Sequence, residues 1–254
     1  MQYHLDTIPL WEVMQGHCQC PFCALQSQSE RQEVQCALGE KVMEPASRIR
    51  FNELGICAKH HCQLLEQNNR LGHALLTDSH CRELLPKLDH LSGLVQKGRK
   101  GISLPWSGSG SSPMDTLLKQ LEQCTVSCVI CDSVNTHMDR YFHTFLHLWK
   151  TDVHFKTLWE ASQGACMPHT IELLRKAKKS LHGSRQQELA SSALALLKAS
   201  MTREEEELAF FTQQFDYRNH GRPWGDSKNA LERTVKRLRG GFDQETYTEG
   251  QNEA

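Results

Sequence analysis

The sequence predicts an all-α fold: a helical bundle or array of two pseudo-repeated halves, with a long helix towards the C-terminus. Three observations predict it. Leu, Gln, Glu, Lys and Ala dominate, and strand-like alternation of β-branched residues is nearly absent. Apolar residues recur at steps of three and four in three stretches. A set of four chemically distinctive residues also occurs twice at nearly equal spacing, on either side of a Gly/Ser/Pro-rich break.

Taken in order, the opening MQYHLDTIPLWEVMQ has no basic leader, and Asp6 and Glu12 interrupt its apolar residues. It does not read as a secretory signal. The stretch from Ala24 to Gly39 is helix-compatible but poorly striped, being mostly Gln, Ser and Glu. Leu64, Leu71, Leu75 and, further on, Leu84 and Leu88 form an apolar stripe that closes a first half at residues 1–100. Gly101 to Pro113 (GISLPWSGSGSSP) reads as a flexible linker. The second half, 114–240, carries one stripe at Val134, Met138, Tyr141, Phe145 and Leu148. Another, at Leu197, Met201, Leu208, Phe211 and Phe215, lies on a long helix from about Ser184 to Tyr217. That helix is expected to stop near Asn219, with Pro223 and Gly225 shaping a turn and Ser227 capping a last helix. Residues 241–254 are polar and acidic and are expected to fray into solvent.

With 29 Lys+Arg against 30 Asp+Glu, the formal charge of the 254 residues is -1. This gives no general attraction to nucleic acid or to an anionic membrane, so neither is an expected partner. The basic runs Lys97 to Lys100 and Arg175 to Lys179 read as solvated faces. No apolar run is long enough to span a bilayer. Eleven cysteines, an odd number, in a chain read as cytoplasmic favour metal ligation or thiol chemistry over a disulfide framework.

The chemistry lies in the repeat. The first half reads Cys20-Pro21-Phe22-Cys23, then Gly55-Ile56-Cys57-Ala58-Lys59-His60, then Leu64-Leu65. The second reads Cys128-Val129-Ile130-Cys131, then Gly164-Ala165-Cys166-Met167-Pro168-His169, then Leu173-Leu174. From residue 23 to residue 57 the step is 34, and from 131 to 166 it is 35. A CxxC offers two sulfurs on one side of a turn, and a CxxH offers a sulfur and an imidazole. Two such half-sites supply the four donors of tetrahedral zinc. Pro21 and Pro168 suit a first helical turn and Gly55 and Gly164 the bend before one, so each half-site is expected to open a helix, where thiolates form more readily.

The expectation is therefore two zinc ions, one Cys3His site per half. Cys20, Cys23, Cys57 and His60 would hold one ion, and Cys128, Cys131, Cys166 and His169 the other. Pairing across the halves stays open. An iron–sulfur cluster is the alternative cofactor, although clusters usually take four cysteines.

Other candidates have plainer readings. Cys36, Cys62, Cys81 and Cys124 read as small buried residues. Cys18 and Cys124 lie just upstream of a CxxC and are candidates to replace or modulate a ligand. His143, His147 and His154 share a face with Arg140 and Lys150, which reads as solvated, and the repeat selects His60 over His61. Glu204 to Glu207 read as a solvated acidic run. Within residues 215–230, Asp216, Tyr217, Arg218, Asn219, Arg222 and Trp224 could line a ligand or partner site, although turn and cap chemistry also explains them. There is no nucleophile–base–orienter triad and no phosphate-binding Gly loop.

The opening Tyr3-His4-Leu5-Asp6-Thr7-Ile8-Pro9, the CPxC, the GxCxxH, the second CxxC with CxPH, and the late FDYRN…PWG…SK together resemble an uncharacterised bacterial family, domain of unknown function family 6062. The resemblance runs from about Tyr3 to Gly240 and implies a bacterial, cytosolic, cysteine-rich helical protein without an assigned activity. His17-Cys18-Gln19 adds a thiol and an imidazole outside that pattern. The favoured reading is a zinc-stabilised helical binding or scaffold protein, with an unspecified protein partner. The alternatives are a cluster-bearing or thiol-switched redox, metal-sensing or metal-delivery protein, and an enzyme using residues 215–230.

Overall fold

A computed structural model describes residues 3–16, 18–98, 113–219 and 222–241, so most of the linker and nearly all of the acidic tail fall outside the described residues. Every regular element described is helical: α1 (Tyr3–Gln15), α2 (Pro21–Leu38), a 3-10 turn at Glu40–Val42, α3 (Pro45–Leu54), α4 (Ala58–Glu66), α5 (Arg70–Gly98), α6 (Pro113–Val126), α7 (Val129–Thr151), α8 (Val153–Ala161), α9 (Met167–Ser180), α10 (Ser184–Gln213), 3-10 turns at Tyr217–Asn219 and Gly225–Asn229, and α11 (Ala230–Arg239).

These helices form two compact units, Met1–Gln28 with Thr136–Ala254, and Ser29–Asn135. The units do not follow the expected halves at 1–100 and 114–240. Both boundaries fall inside helices, α2 and α7, so each unit takes pieces from both halves.

In the first unit an aromatic core surrounds α7. Phe145 meets Phe155 and Trp159 edge-on at 5.3 and 5.0 Å, and Phe22 stacks on Phe142 at 4.4 Å. Truncating one of these rings to Ala costs about 3–5 kcal/mol in a packed core. The Trp159 indole N–H donates to Ser192 Oγ at 3.0 Å, which ties α8 to α10. Met138, Tyr141 and Phe145 are buried, as their spacing predicts, and so is Val134 of the same stripe, which belongs to the second unit. α11 and α9 pack against α10, and α1 packs against α8. The Asp152 carboxylate caps α8 by accepting from the Phe155 amide at 3.0 Å.

In the second unit α3, α4 and α6 pack against α5. Leu64 of the expected third stripe is buried, but Leu71 is 73% exposed and Leu75 and Leu88 are exposed too. α5 turns His73, Leu76 and Leu91 inward instead. Position, not hydropathy, decides here, because α5 has neighbours on only part of its circumference.

Four further expectations are corrected. The poorly striped stretch at 24–39 is the body of α2, whose buried residues Phe22, Leu25, Ser29, Glu30, Glu33, Val34, Ala37 and Leu38 keep the helical period. Its stripe is hidden by polar residues whose partners lie inside. Glu204 to Glu207 are solvated only in part: Glu205 and Glu206 are exposed, but Glu204 is buried against Arg237, and Glu207 pairs with Arg233. The long helix ends at Gln213, short of Tyr217. Ser227 does not cap the last helix; it lies in a 3-10 turn and donates to the Trp224 carbonyl at 2.6 Å, and α11 begins at Ala230.

Candidate metal centres

All four half-sites are built alike. Cys20, Cys57, Cys128 and Cys166 each stand immediately before a helix, and their carbonyls accept from the amides of Ala24, His61, Asp132 and Thr170 at 3.2, 2.9, 3.0 and 2.8 Å. Each therefore occupies the N-cap position, and the second donor of each pair, three residues on, lies in the first turn. Gly55 and Gly164 precede the CxxH pairs with φ of 66° and 70°, a region open to glycine. A Cβ there would meet His80 Nε2 at 2.9 Å or Leu196 Cβ at 2.8 Å. The positive ends of two helices thus face each cluster of sulfurs.

The eight expected residues gather into two cages, within each of which all four donor atoms lie within 4.8 Å of one another. The pairing is crossed. Cys20 and Cys23 meet Cys166 and His169 in a first cage, and Cys57 and His60 meet Cys128 and Cys131 in a second. The within-half pairing is overturned, because each CxxC folds against the CxxH of the other half.

Distances inside the cages suit one ion each. Tetrahedral zinc with Zn–S of about 2.3 Å and Zn–N of about 2.05 Å has S···S edges of about 3.8 Å and S···N edges of about 3.6 Å. In the first cage Cys23 and Cys166 sulfurs lie 3.6 Å apart, and His169 Nδ1 is 3.6, 3.3 and 3.2 Å from the sulfurs of Cys20, Cys23 and Cys166. In the second, Cys57 and Cys131 sulfurs are 3.8 Å apart, with His60 Nδ1 at 3.2, 3.2 and 3.4 Å from Cys57, Cys128 and Cys131. None of the cysteines is in a disulfide.

The surroundings differ. In the second cage His60 is 2% exposed, and its Nε2 meets Glu30 Oε1 at 2.8 Å, which itself takes Lys59 Nζ at 2.6 Å. A carboxylate on the far nitrogen fixes which nitrogen faces the ion. Its half-sites bond directly: the Val129 amide donates to Gly55 O at 3.0 Å, and the Ser127 side chain, through Oγ, to Leu54 O at 2.7 Å. In the first cage His169 packs beside Phe22 and Phe142, with ring centroids at 5.9 and 6.2 Å, and its Nε2 has no hydrogen-bond partner among the described residues. Here Arg237 from α11 bridges the half-sites, donating to Gln19 O at 2.9 Å and Gln163 O at 3.2 Å. The Gly241 amide adds a bond to Cys23 Sγ at 3.1 Å.

Without an ion, charge separates inside each cage. Burial opposes a Cys128 thiolate, but the His60 ring and the Cys131 and Cys57 amides outweigh it and bring the thiol to about 6. Burial and then the Cys128 charge push Cys131 to about 12. His60, which burial alone would lower, is driven to about 10 by Cys128 and Glu30. Against its own burial, Glu30 is held at about 2 by His60 and Lys59. In the first cage burial again opposes ionisation, yet bonds from Cys166, Cys23 and His169 hold Cys20 well below the usual thiol range. Hydrogen bonds with Cys20 and Cys23 raise Cys166, while Cys20 and Cys23 overcome burial to bring His169 to about 9. An imidazolium facing thiolates is the arrangement a cation replaces.

The remaining candidates stay outside both cages. Cys18 Sγ donates to Val13 O at 3.2 Å, and burial followed by the Cys20 charge raises its thiol to about 11. Cys124 Sγ donates to Gln120 O at 3.3 Å, so neither replaces a ligand. Cys62 and Cys81 are exposed, not buried. His143, His147 and His154 are exposed, with His154 stacked on Trp11 at 5.6 Å. In the 215–230 segment Asp216 and Arg218 pair with each other at 2.5 Å, Tyr217 is exposed, and Asn219 Nδ2 donates to Gln213 O at 2.7 Å. Arg222 is exposed and Trp224 packs on Phe211 and Phe215 at 5.5 and 5.9 Å.

Sequence reasoning missed Glu30 and Arg237. The signal for Glu30 was its place on the same helical face as Phe22, Leu25 and Val34; that for Glu204, which anchors Arg237, was its step of four from both Ser200 and Leu208.

A family model described as a family of unknown function (DUF6062) matches residues 1–245. No curated protein and no solved structure matches the chain.

Proposed function

We propose that this chain, which belongs to the DUF6062 family of unknown function, is a helical scaffold braced by two structural zinc ions. One would be held by Cys20, Cys23, Cys166 and His169, the other by Cys57, His60, Cys128 and Cys131. The observation that carries this reading is the closeness of the four donors in each cage, all within 4.8 Å. A single ion draws its ligands to the corners of one tetrahedron, whereas a polynuclear cluster spreads them over several irons, so the compact cages favour one ion apiece over iron–sulfur. Four protein donors fill a tetrahedral shell, and the ion then braces rather than presenting an open position for substrate. Each ion would replace the repulsion and desolvation of buried thiolates with bonds, coupling metal binding to folding.

No helix among the described residues is long and apolar enough to cross a bilayer. The test is elemental analysis of anaerobically purified protein with its absorption spectrum. Two zinc ions per chain and no visible absorption are expected. A brown protein rich in iron and sulfide, or a well-folded protein without metal, would overturn the reading.

A further inference from the structure

α10 and α11 converge on two loop residues of the first cage. Gln19 directly precedes Cys20, and Gln163 lies just ahead of the Gly164 bend that leads into Cys166. The Gln19 side-chain amide donates to Glu204 Oε1 at 2.8 Å and to the Arg233 carbonyl at 2.7 Å. The Gln163 carbonyl accepts from Ser200 Oγ at 2.7 Å, and its side-chain oxygen from Arg203 at 3.1 Å. Between them stands Arg237, 1% exposed, with its Nε on Glu204 Oε1 at 3.1 Å and its Nη1 on both loop carbonyls.

A buried ion pair is weak evidence for a stabilising role, because desolvation cancels much of its attraction. Its geometry is more informative. A guanidinium offers donors in a fixed plane, so a single Arg can hold two backbone carbonyls at a set separation while a carboxylate fixes its own orientation. The two carbonyls belong to the segments that deliver Cys20 and Cys166. The second cage has a direct backbone bond, Val129 to Gly55, and the Ser127 hydroxyl on Leu54 at the equivalent place, and needs no such bridge.

We propose that Arg237, oriented by Glu204, is the positioning residue of the first cage. It sets the separation of the two half-sites, so that metal affinity there, and not in the second cage, depends on the docking of α10 and α11. By reciprocity, an ion in the first cage stabilises that docking. This rests on the two-ion reading above.

The test measures zinc affinity of the full chain by competition with a chromophoric chelator, with helicity checked by circular dichroism. The main variant is Arg237→Met with Glu204→Leu, which removes both buried charges together and leaves neither unpaired. One zinc should be retained as in the wild type and the other weakened about 10- to 100-fold, the range for loss of an outer-shell partner. Adding His169→Ala should leave the retained zinc untouched, while adding His60→Ala should remove it. If the double variant loses helicity, Arg237→Lys decides: it keeps the charge but not the fork, and should still weaken one zinc. Wild-type affinity at both cages, or equal weakening of both, overturns the proposal. A wild type that folds without zinc overturns the two-ion reading along with it; two zinc ions in the wild type and no change in the variants overturn this inference alone.

Discussion

The two cages share residue types, helix positions and donor spacing, yet each is finished differently. The second is closed by its own neighbourhood: the Val129 amide bonds to the Gly55 carbonyl and the Ser127 hydroxyl to the Leu54 carbonyl, joining its half-sites, and Glu30 holds His60. The first is closed from a distance, by Arg237, Glu204 and the Gly241 amide, all contributed by later parts of the chain. Duplicated ligands therefore do not imply duplicated surroundings. The donor set follows from short local motifs, whereas what steadies it depends on which helix packs alongside.

The largest effect that tests this contrast is loss of a ligand. Cys131→Ala should release one zinc and Cys166→Ala the other, each costing more than about 4 kcal/mol, the scale of a lost structural metal, and lowering Tm by roughly 10 °C or more. Metal analysis and thermal unfolding would read both. Loss of both ions from a single substitution would show that the cages are not independent.

Acid comes next. Metal-free, His60 sits near 10 and Cys131 near 12, so both carry a proton at neutral pH that an ion must displace. Falling pH favours the protonated, metal-free state, and zinc affinity at the second cage should drop by a factor of ten for each displaced proton, so these two alone give about a hundredfold per pH unit near neutrality as the smallest expected slope. Chelator competition between pH 6 and 8 measures this slope. A flat profile would mean that the site binds without releasing those protons.

Glu30→Gln sharpens the comparison further. It keeps the shape but weakens the hold on His60, and should lower affinity at the second cage by about tenfold or somewhat more, leaving the first cage unchanged. Equal weakening of both cages would contradict the separate surroundings. Smallest are the bends: Gly55→Ala and Gly164→Ala, forced to positive φ, should each cost about 1–3 kcal/mol by chemical denaturation. Gly164 should be the worse of the two, because its Cβ meets the root of Leu196, whereas at Gly55 it meets the end of the His80 ring.

Much of the site could be read along the chain. CxxC and CxxH are local signals, set by one helical turn, and so all eight donors were legible together with their N-terminal helix positions. Their crossed pairing was not, because spacing within a repeat says nothing about which repeat folds onto which. Glu30 was passed over and Glu204 misread for a common reason. A carboxylate in a run of Gln and Glu looks solvated until its partner, here His60 or Arg237, is known to lie on the same side. Leu71 and Leu88 failed in the opposite direction, being apolar residues on an exposed face of α5.

The crossed pairing also bears on how the chain is made. The first cage joins cysteines 143 residues apart, and the second joins positions up to 74 apart. At about 5–20 residues per second, Cys20 and Cys23 leave the ribosome roughly 7–30 s before their partners exist. During that interval two thiols await a loop closure that no local folding can supply. The later-made α11 brings the arginine that spans the finished joint.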